Sequence, residues 1–165
     1  MLRQRIRERV HHFREEHKDE IIEKVELRKS ELRMGLDAAK TAGIEFDYRI
    51  LPVTSFTVAR AYRNFAPNWC ITHEEDAWND YRNWNDRIYF CLNDGMATLE
   101  PVKGDLYPYD AYGLSLIAVQ VGKDHRIAGI TSRWNEDESR DFFISPKMLK
   151  EILGRQFQEL GAEID

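Results

Sequence analysis

The chain has 165 residues, 42% of them hydrophobic, and a formal net charge of −5. That length fits one domain with room for a core, and the apolar content excludes a disordered polyelectrolyte. The acidic balance argues against nucleic acid as a partner held by bulk electrostatics.

The charge is uneven. Residues 1–18 hold six Lys/Arg against three Glu, a surplus of +3 that leaves −8 on the rest of the chain. Residues 2–42 contain no proline and only one glycine, Gly35. Apolar residues recur in steps of mostly three and four at Leu2, Ile6, Val10 and Phe13, then at Ile21, Ile22, Val25, Leu32 and Leu36. This spacing predicts a long amphipathic helix with Gly43 as its stop. Residues 1–43 therefore read as an N-terminal helix and residues 44–165 as a globular domain. The second half of the helix is expected to pack on that domain. The thinner first half is expected to project or to pair with another copy, giving self-association through residues 2–30. A basic helix of this kind could also touch nucleic acid or a membrane surface, but Glu8, Glu15 and Glu16 dilute its positive face.

No segment approaches the roughly 18 apolar residues of a membrane span. Basic residues recur from Arg3 to Arg14 with no apolar stretch between them, which argues against a signal peptide. The two cysteines, Cys70 and Cys91, both have apolar neighbours and read as free thiols of a reducing cytoplasm.

Ile44–Val53 contains Pro52 and reads as a short edge strand or extended linker. Thr54 or Ser55 can cap a helix over Phe56–Asn64, which Pro67 ends. Trp69-Cys70-Ile71 reads as a short strand or buried extended turn. Thr72 and Glu75 make a T-x-x-E capping box, predicting a helix from His73 to about Arg82 with Ala77, Trp78 and Tyr81 on one face. Arg87–Leu92 is a strand with Ile88, Phe90 and Leu92 on one face and Tyr89 and Cys91 on the other. Asn93-Asp94-Gly95 is a turn, Met96–Val102 a strand candidate, and Lys103–Tyr112 an ordered loop. Leu114–Val121 is nearly all apolar and is expected to be central. Gly122-Lys123-Asp124 turns it into Arg126–Trp134, an antiparallel hairpin. A polar loop, Asn135–Arg140, leads to a short strand at Asp141–Ile144. Ser145-Pro146 then supplies an N-cap and a first-turn proline for a helix ending near Leu153, with Gly154 as its cap. A final short helix holds Phe157 and Leu160. The expected class is α+β: an antiparallel sheet of four or five strands with helices packed on one face, preceded by a long N-terminal helix.

Side-chain chemistry is densest in Asn68–Asn85, which holds three of the four tryptophans, Cys70 and the run His73-Glu74-Glu75-Asp76. Cys70 with His73 or His125 and a carboxylate would suit nucleophilic catalysis, and a helix N-terminus just after Cys70 could lower its thiol pKa. Neither histidine sits in a catalytic motif, and a cysteine between Trp69 and Ile71 suits a core. Acids in a first helical turn are favoured by the helix dipole, which accounts for Glu74, Glu75 and Asp76 without catalysis. H-E-E-D is not H-E-x-x-H, and His12 and His17 are five apart, a poor ligand spacing on a helix. Nor do the dispersed glycines form a phosphate loop. The sequence thus calls for no metal and no cofactor. Its binding candidates are Arg133, Trp134 and Asn135, ending a central-looking strand, and the acids Glu74, Glu75 and Asp76. An acidic face of this kind can meet a basic groove on another protein.

The strings at Trp69–Thr72, Trp78–Tyr81, Ile88–Gly95, Tyr112–Val119 and Ser132–Asn135 together form a W-C-I-T … Y-G-x-S … S-R-W-N pattern. In this the chain resembles small uncharacterised proteins of bacteriophages and integrated mobile elements, over residues 68–153. The resemblance implies a phage or mobile-element context in the cytoplasm of a bacterial host, and no particular activity. The expectation is a non-enzymatic interaction module that binds a host or phage protein. The alternatives are an enzyme using Cys70 or the His73–Asp76 cluster, and nucleic-acid binding through the basic N-terminal helix.

Overall fold

Two neighbouring strands that are apolar on both faces set the architecture. The computed structural model describes residues 5, 8, 16, 18–41, 43, 46–66, 69–93, 113–133 and 144–164. In chain order the elements are α1 (Lys18–Thr41), β1 (Arg49–Pro52), α2 (Phe56–Arg60), α3 (Cys70–His73), α4 (Glu75–Trp84), β2 (Asn85–Leu92), β3 (Leu116–Gly122), β4 (Ile127–Ser132), α5 (Pro146–Leu153) and a 3-10 helix (Gly154–Leu160). The four strands form one antiparallel sheet in the order β1-β2-β3-β4. The α+β class and the antiparallel sheet are those the sequence predicts.

Side chains alternate across a strand, so each of β2 and β3 feeds two cores. On one face Ile88, Phe90, Leu92, Leu116 and Ala118 meet Val53, Ala59, Ala66, Trp69, Ile71 and Trp78 from the α2–α4 side. On the other, Tyr89, Cys91, Ile117, Val119, Val121 and Ile130 meet Leu32 and Leu36 of α1 and the apolar stripe of α5 and the 3-10 helix. Helices therefore cover both faces of the sheet, where the sequence reading placed them on one. The cause is the two-sided apolar pattern of β2 and β3, which leaves neither face fit for water.

β1 is an edge strand, and Pro52 pairs with Tyr89 at its end. β4 is the other edge, although its apolar sequence looks central. The β3–β4 hairpin closes with Gly122 N–H donating to Arg126 O at 2.8 Å and with His125 at φ 65°. His125 is exposed there, as a turn residue should be.

Three local signals act as the sequence predicts. Ser55 Oγ accepts from Val58 N–H and starts α2. Ser145 Oγ accepts from Met148 N–H at 3.2 Å, with Pro146 in the first turn of α5 and Gly154, at φ 55°, at its end. Gly43 follows α1 at φ 72° and donates to Lys40 O. One signal does not. Thr72 is not an N-cap: it is buried inside α3 and its hydroxyl donates to Trp69 O at 2.9 Å. Glu74, extended at φ −122°, separates α3 from α4, so the segment Trp69–Ile71 enters a helical turn rather than a strand.

Tyr48 ties the start of β1 to two distant segments. It is 2% exposed and its hydroxyl donates to Leu114 O at 2.7 Å. The Gln156 amide accepts from Tyr48 N–H at 2.7 Å and donates to Tyr48 O. Tyr48→Phe leaves the Leu114 carbonyl without this donor in the core, so a loss of about 1–3 kcal/mol is expected in urea unfolding. A loss below about 0.5 kcal/mol would remove the bond from the stabilising set.

The stripe Leu2, Ile6, Val10 and Phe13, the tip of the Asn93-Asp94-Gly95 turn, Met96–Val102, Lys103–Tyr112, Asn135–Arg140 and most of Asp141–Ile144 lie outside the described residues.

Candidate functional site

The exposed side of α4 gathers the most distinctive surface chemistry among the described residues. Trp78 and Tyr81 turn toward the sheet, and Trp78 is 3% exposed. Six residues on from Trp78 is 600° of helix, so Trp84 lies about 120° round from that core face. It is 63% exposed. Glu75, Asp76, Asn79 and Asn83 are exposed on the same helix and Asp80 is half-buried. Asp76, Asp80 and Trp84 follow one another at i, i+4 and i+8 and so form one stripe.

Local bonds fix the end of the helix that carries Trp84. The buried Asn85 side-chain amide donates to Tyr81 O at 2.8 Å and to Gln120 Oε1 at 3.0 Å on β3. Arg82 Nη1 donates to the carbonyls of Asn85 at 3.1 Å and Asp86 at 2.7 Å. The Tyr81 ring lies edge-on to Trp84, with centroids 5.4 Å apart. The indole rests edge-on against Tyr81 and leaves most of its surface open to a partner.

Glu74, Glu75 and Asp76 are all exposed. Glu74 occupies the N-cap position of α4 without a side-chain capping bond, while Glu75 and Asp76 sit in the first turn. The helix dipole favours them there. Together with Asp80 they put four carboxylates on or beside α4, and its single basic residue, Arg82, is engaged with carbonyls.

His73 is exposed at the end of α3. Cys70, expected to be core-like, is exposed at its start, whereas Cys91 is fully buried in β2. The Cys70 thiol has its pKa raised: the protein packed around it disfavours the thiolate despite the exposed surface, and the Glu74 charge adds to this. Backbone hydrogen bonds at the start of α3 favour the thiolate, but burial outweighs them. Among the described residues, no three His, Cys, Asp or Glu side chains are grouped so as to hold a metal ion.

Arg133 lies at the end of β4, half-buried. Its guanidinium stacks 3.8 Å from the Phe65 ring centroid, Nε donates to Phe65 O at 2.8 Å, and Nη1 to Ser115 Oγ at 3.3 Å. This geometry joins the turn after α2 to the sheet and gives Arg133 a structural role. Trp134 and Asn135 lie outside the described residues.

A cleft of roughly 850 Å³ opens between α1 and the α5–3-10 segment. Arg33 from α1 forks onto Glu151 there, at 2.9 and 2.6 Å, and also reaches Asp37 at 3.1 Å. The fork lowers the Glu151 pKa and raises that of Arg33. Both side chains are about two-fifths exposed, so the pair adds little to stability. Among the described residues, the cleft lining includes no Cys, Ser or His to act as a nucleophile or general base near neutral pH.

Of the expected site residues, Glu74, Glu75 and Asp76 are exposed at the start of α4, and Arg133 clamps the turn after α2 to the sheet. Trp84 was not among the sequence candidates. Its signal was available in the helical phase, which takes it off the face of Trp78.

The fold and this surface define an α+β domain with a helix-covered antiparallel sheet and an acidic, tryptophan-bearing helix face. No protein-family model, curated protein or solved structure matches the chain. No helix among the described residues is long and apolar enough to cross a membrane.

Proposed function

We propose that this protein is a non-enzymatic interaction module that binds a basic surface of another protein through the exposed side of α4. The observation that carries the reading is Trp84, 63% exposed at the end of α4 and on one stripe with Asp76 and Asp80. An exposed tryptophan is a common anchor of protein interfaces, and a polar rim around such an anchor is usual. The carboxylates of Glu74, Glu75, Asp76 and Asp80 would steer and orient a cationic partner. The sequence pattern at Trp69–Thr72, Ile88–Gly95 and Ser132–Asn135 supports a phage or mobile-element setting, in which the partner is a host or phage protein.

The test is affinity capture from bacterial host lysate with the full chain, followed by a binding measurement on the captured protein. Trp84→Ala is expected to weaken binding by about thirtyfold or more, the size of a hot-spot truncation. Glu75→Lys with Asp80→Lys is expected to slow association and to flatten its salt dependence. Capture that is indifferent to all three substitutions would take this face out of the function. Loss of the biological effect in folded Cys70→Ser or His73→Ala, with no partner captured, would replace the reading with an enzymatic one.

A further inference from the structure

The cleft between α1 and the α5–3-10 segment joins an apolar lining to a cationic one. Its apolar lining comes from Leu36, Ile152 and Leu153, all buried, and from the half-buried Phe46. Its charged lining sets Arg33, Lys40 and Arg155 against Asp47 and Glu151. A second cavity of roughly 500 Å³ shares Glu151 and Gly154 with it and adds Lys147 and Lys150. Gly154, at φ 55°, has open space where a Cβ would stand, so no side chain divides the two cavities at that point.

The carboxylates here are engaged and most of the cations are not. Glu151 and Asp37 both hold Arg33, and Asp47 Oδ1 accepts from Gln156 Nε2 at 3.4 Å. Among the described residues, Lys40, Lys147, Lys150 and Arg155 are exposed and make no side-chain hydrogen bond or ion pair. Counting Asp37 with the two linings, five cations meet three carboxylates, a surplus of +2 on a chain of −5.

We propose that this cleft binds a small organic anion, a molecule with an apolar body and a carboxylate, sulfonate or phosphate group. The body would lie against Leu36, Phe46, Ile152 and Leu153, and the anionic group would meet Lys40 and Arg155. A bare inorganic anion leaves the apolar lining unused, and a neutral molecule leaves the cations without a partner. The main cavity, roughly 850 Å³, lies within the range of about 300–1,000 Å³ usual for small-molecule sites. It opens on the side of the sheet opposite α4, and the inference does not depend on the function proposed for the α4 face.

Anilinonaphthalene sulfonate, an aromatic body with one sulfonate, is the probe. Fluorescence titration of the full chain should show saturable binding that weakens as salt is raised. Phenylnaphthylamine, the same body without the charge, should bind about tenfold more weakly or worse. Lys40→Gln with Arg155→Gln should weaken the sulfonate probe by about tenfold or more while leaving binding of the neutral one unchanged. The urea midpoint should hold, as for other surface substitutions. Trp84→Ala should change neither probe. Absence of saturable binding, equal affinity for the two probes, or indifference to the double substitution would overturn the proposal.

Discussion

Trp69→Ala is expected to destabilise the fold by about 3–5 kcal/mol, the usual cost of truncating a packed tryptophan. Trp69 is 2% exposed and rests on Phe90 of β2, ring centroids 5.3 Å apart. Tyr62 meets the same Phe90 ring edge-on at 5.3 Å. Trp69 Nε1 donates to Ser132 O at 2.8 Å, so one side chain joins the α3 turn to β2 by packing and to edge strand β4 by a hydrogen bond. Alanine removes the ring from this cluster and takes the indole donor from a buried carbonyl. The expected loss is a large share of the roughly 5–15 kcal/mol that holds an ordinary domain together. Urea unfolding followed by circular dichroism measures it, and Trp84→Ala is the control. The exposed Trp84 should cost about 0.5 kcal/mol or less, within the range of surface changes. Two tryptophans in one segment would then separate cleanly into a core residue and a surface one. If Trp69→Ala unfolds at nearly the parent midpoint, the second core is not organised around this ring.

The contrast between those tryptophans also marks how far the sequence carries. Burial of Trp69 and Trp78 was legible because apolar residues surround the first and a helical stripe of Ala77 and Tyr81 surrounds the second. β2 and β3 were legible from period-two alternation and from a nearly unbroken apolar run, and α5 from Ser145-Pro146 at one end and Gly154 at the other. Those signals are local, and local signals survive folding when tertiary contacts agree with them. The Thr72–Glu75 pair failed for the opposite reason. A capping box needs its threonine extended at the helix start, but burial of Trp69 and Ile71 pulls the chain into a helical turn there. The Thr72 hydroxyl then bonds back to Trp69 O instead of forward. The contacts of Arg133 were not legible because its partners are remote: Phe65 lies 68 residues away in the chain, and no spacing rule announces such a contact. Two-sided helix cover was implicit in the residues. Ile88, Phe90 and Leu92 opposite Tyr89 and Cys91 already require two covers, and the one-face expectation did not follow that pattern through. Of the site, the acids of α4 were legible as a charge run. Trp84 needed its helical phase to be worked out against Trp78.

Alkaline stability should be governed in part by Cys91, with a loss of about 2 kcal/mol between pH 7 and about 10.5 that Cys91→Ala abolishes. Cys91 is fully buried in β2, paired with Ile50 and Ile117 on the flanking strands. Burial pushes its thiol pKa up from 9.0 to about 12, and the charge of Glu159 adds to the shift. The folded pKa lies above the unfolded one, so the neutral thiol is the form the fold prefers. The stability tied to that preference is fully present below about pH 9. It is lost as pH rises toward about 12, because the unfolded chain ionises freely while the folded one cannot. One pKa unit is worth about 1.4 kcal/mol, which sets the expected loss part of the way through this window. Tyrosines and lysines also titrate at high pH, so the informative quantity is the difference between parent and variant at each pH. Cys91→Ala should begin less stable near neutrality, having lost a packed sulfur, and the gap should narrow steadily above pH 9. Urea midpoints of the two proteins across that range make the measurement. Parallel pH profiles would mean that Cys91 reaches water before it ionises, and that the β1–β2–β3 centre opens locally without global unfolding.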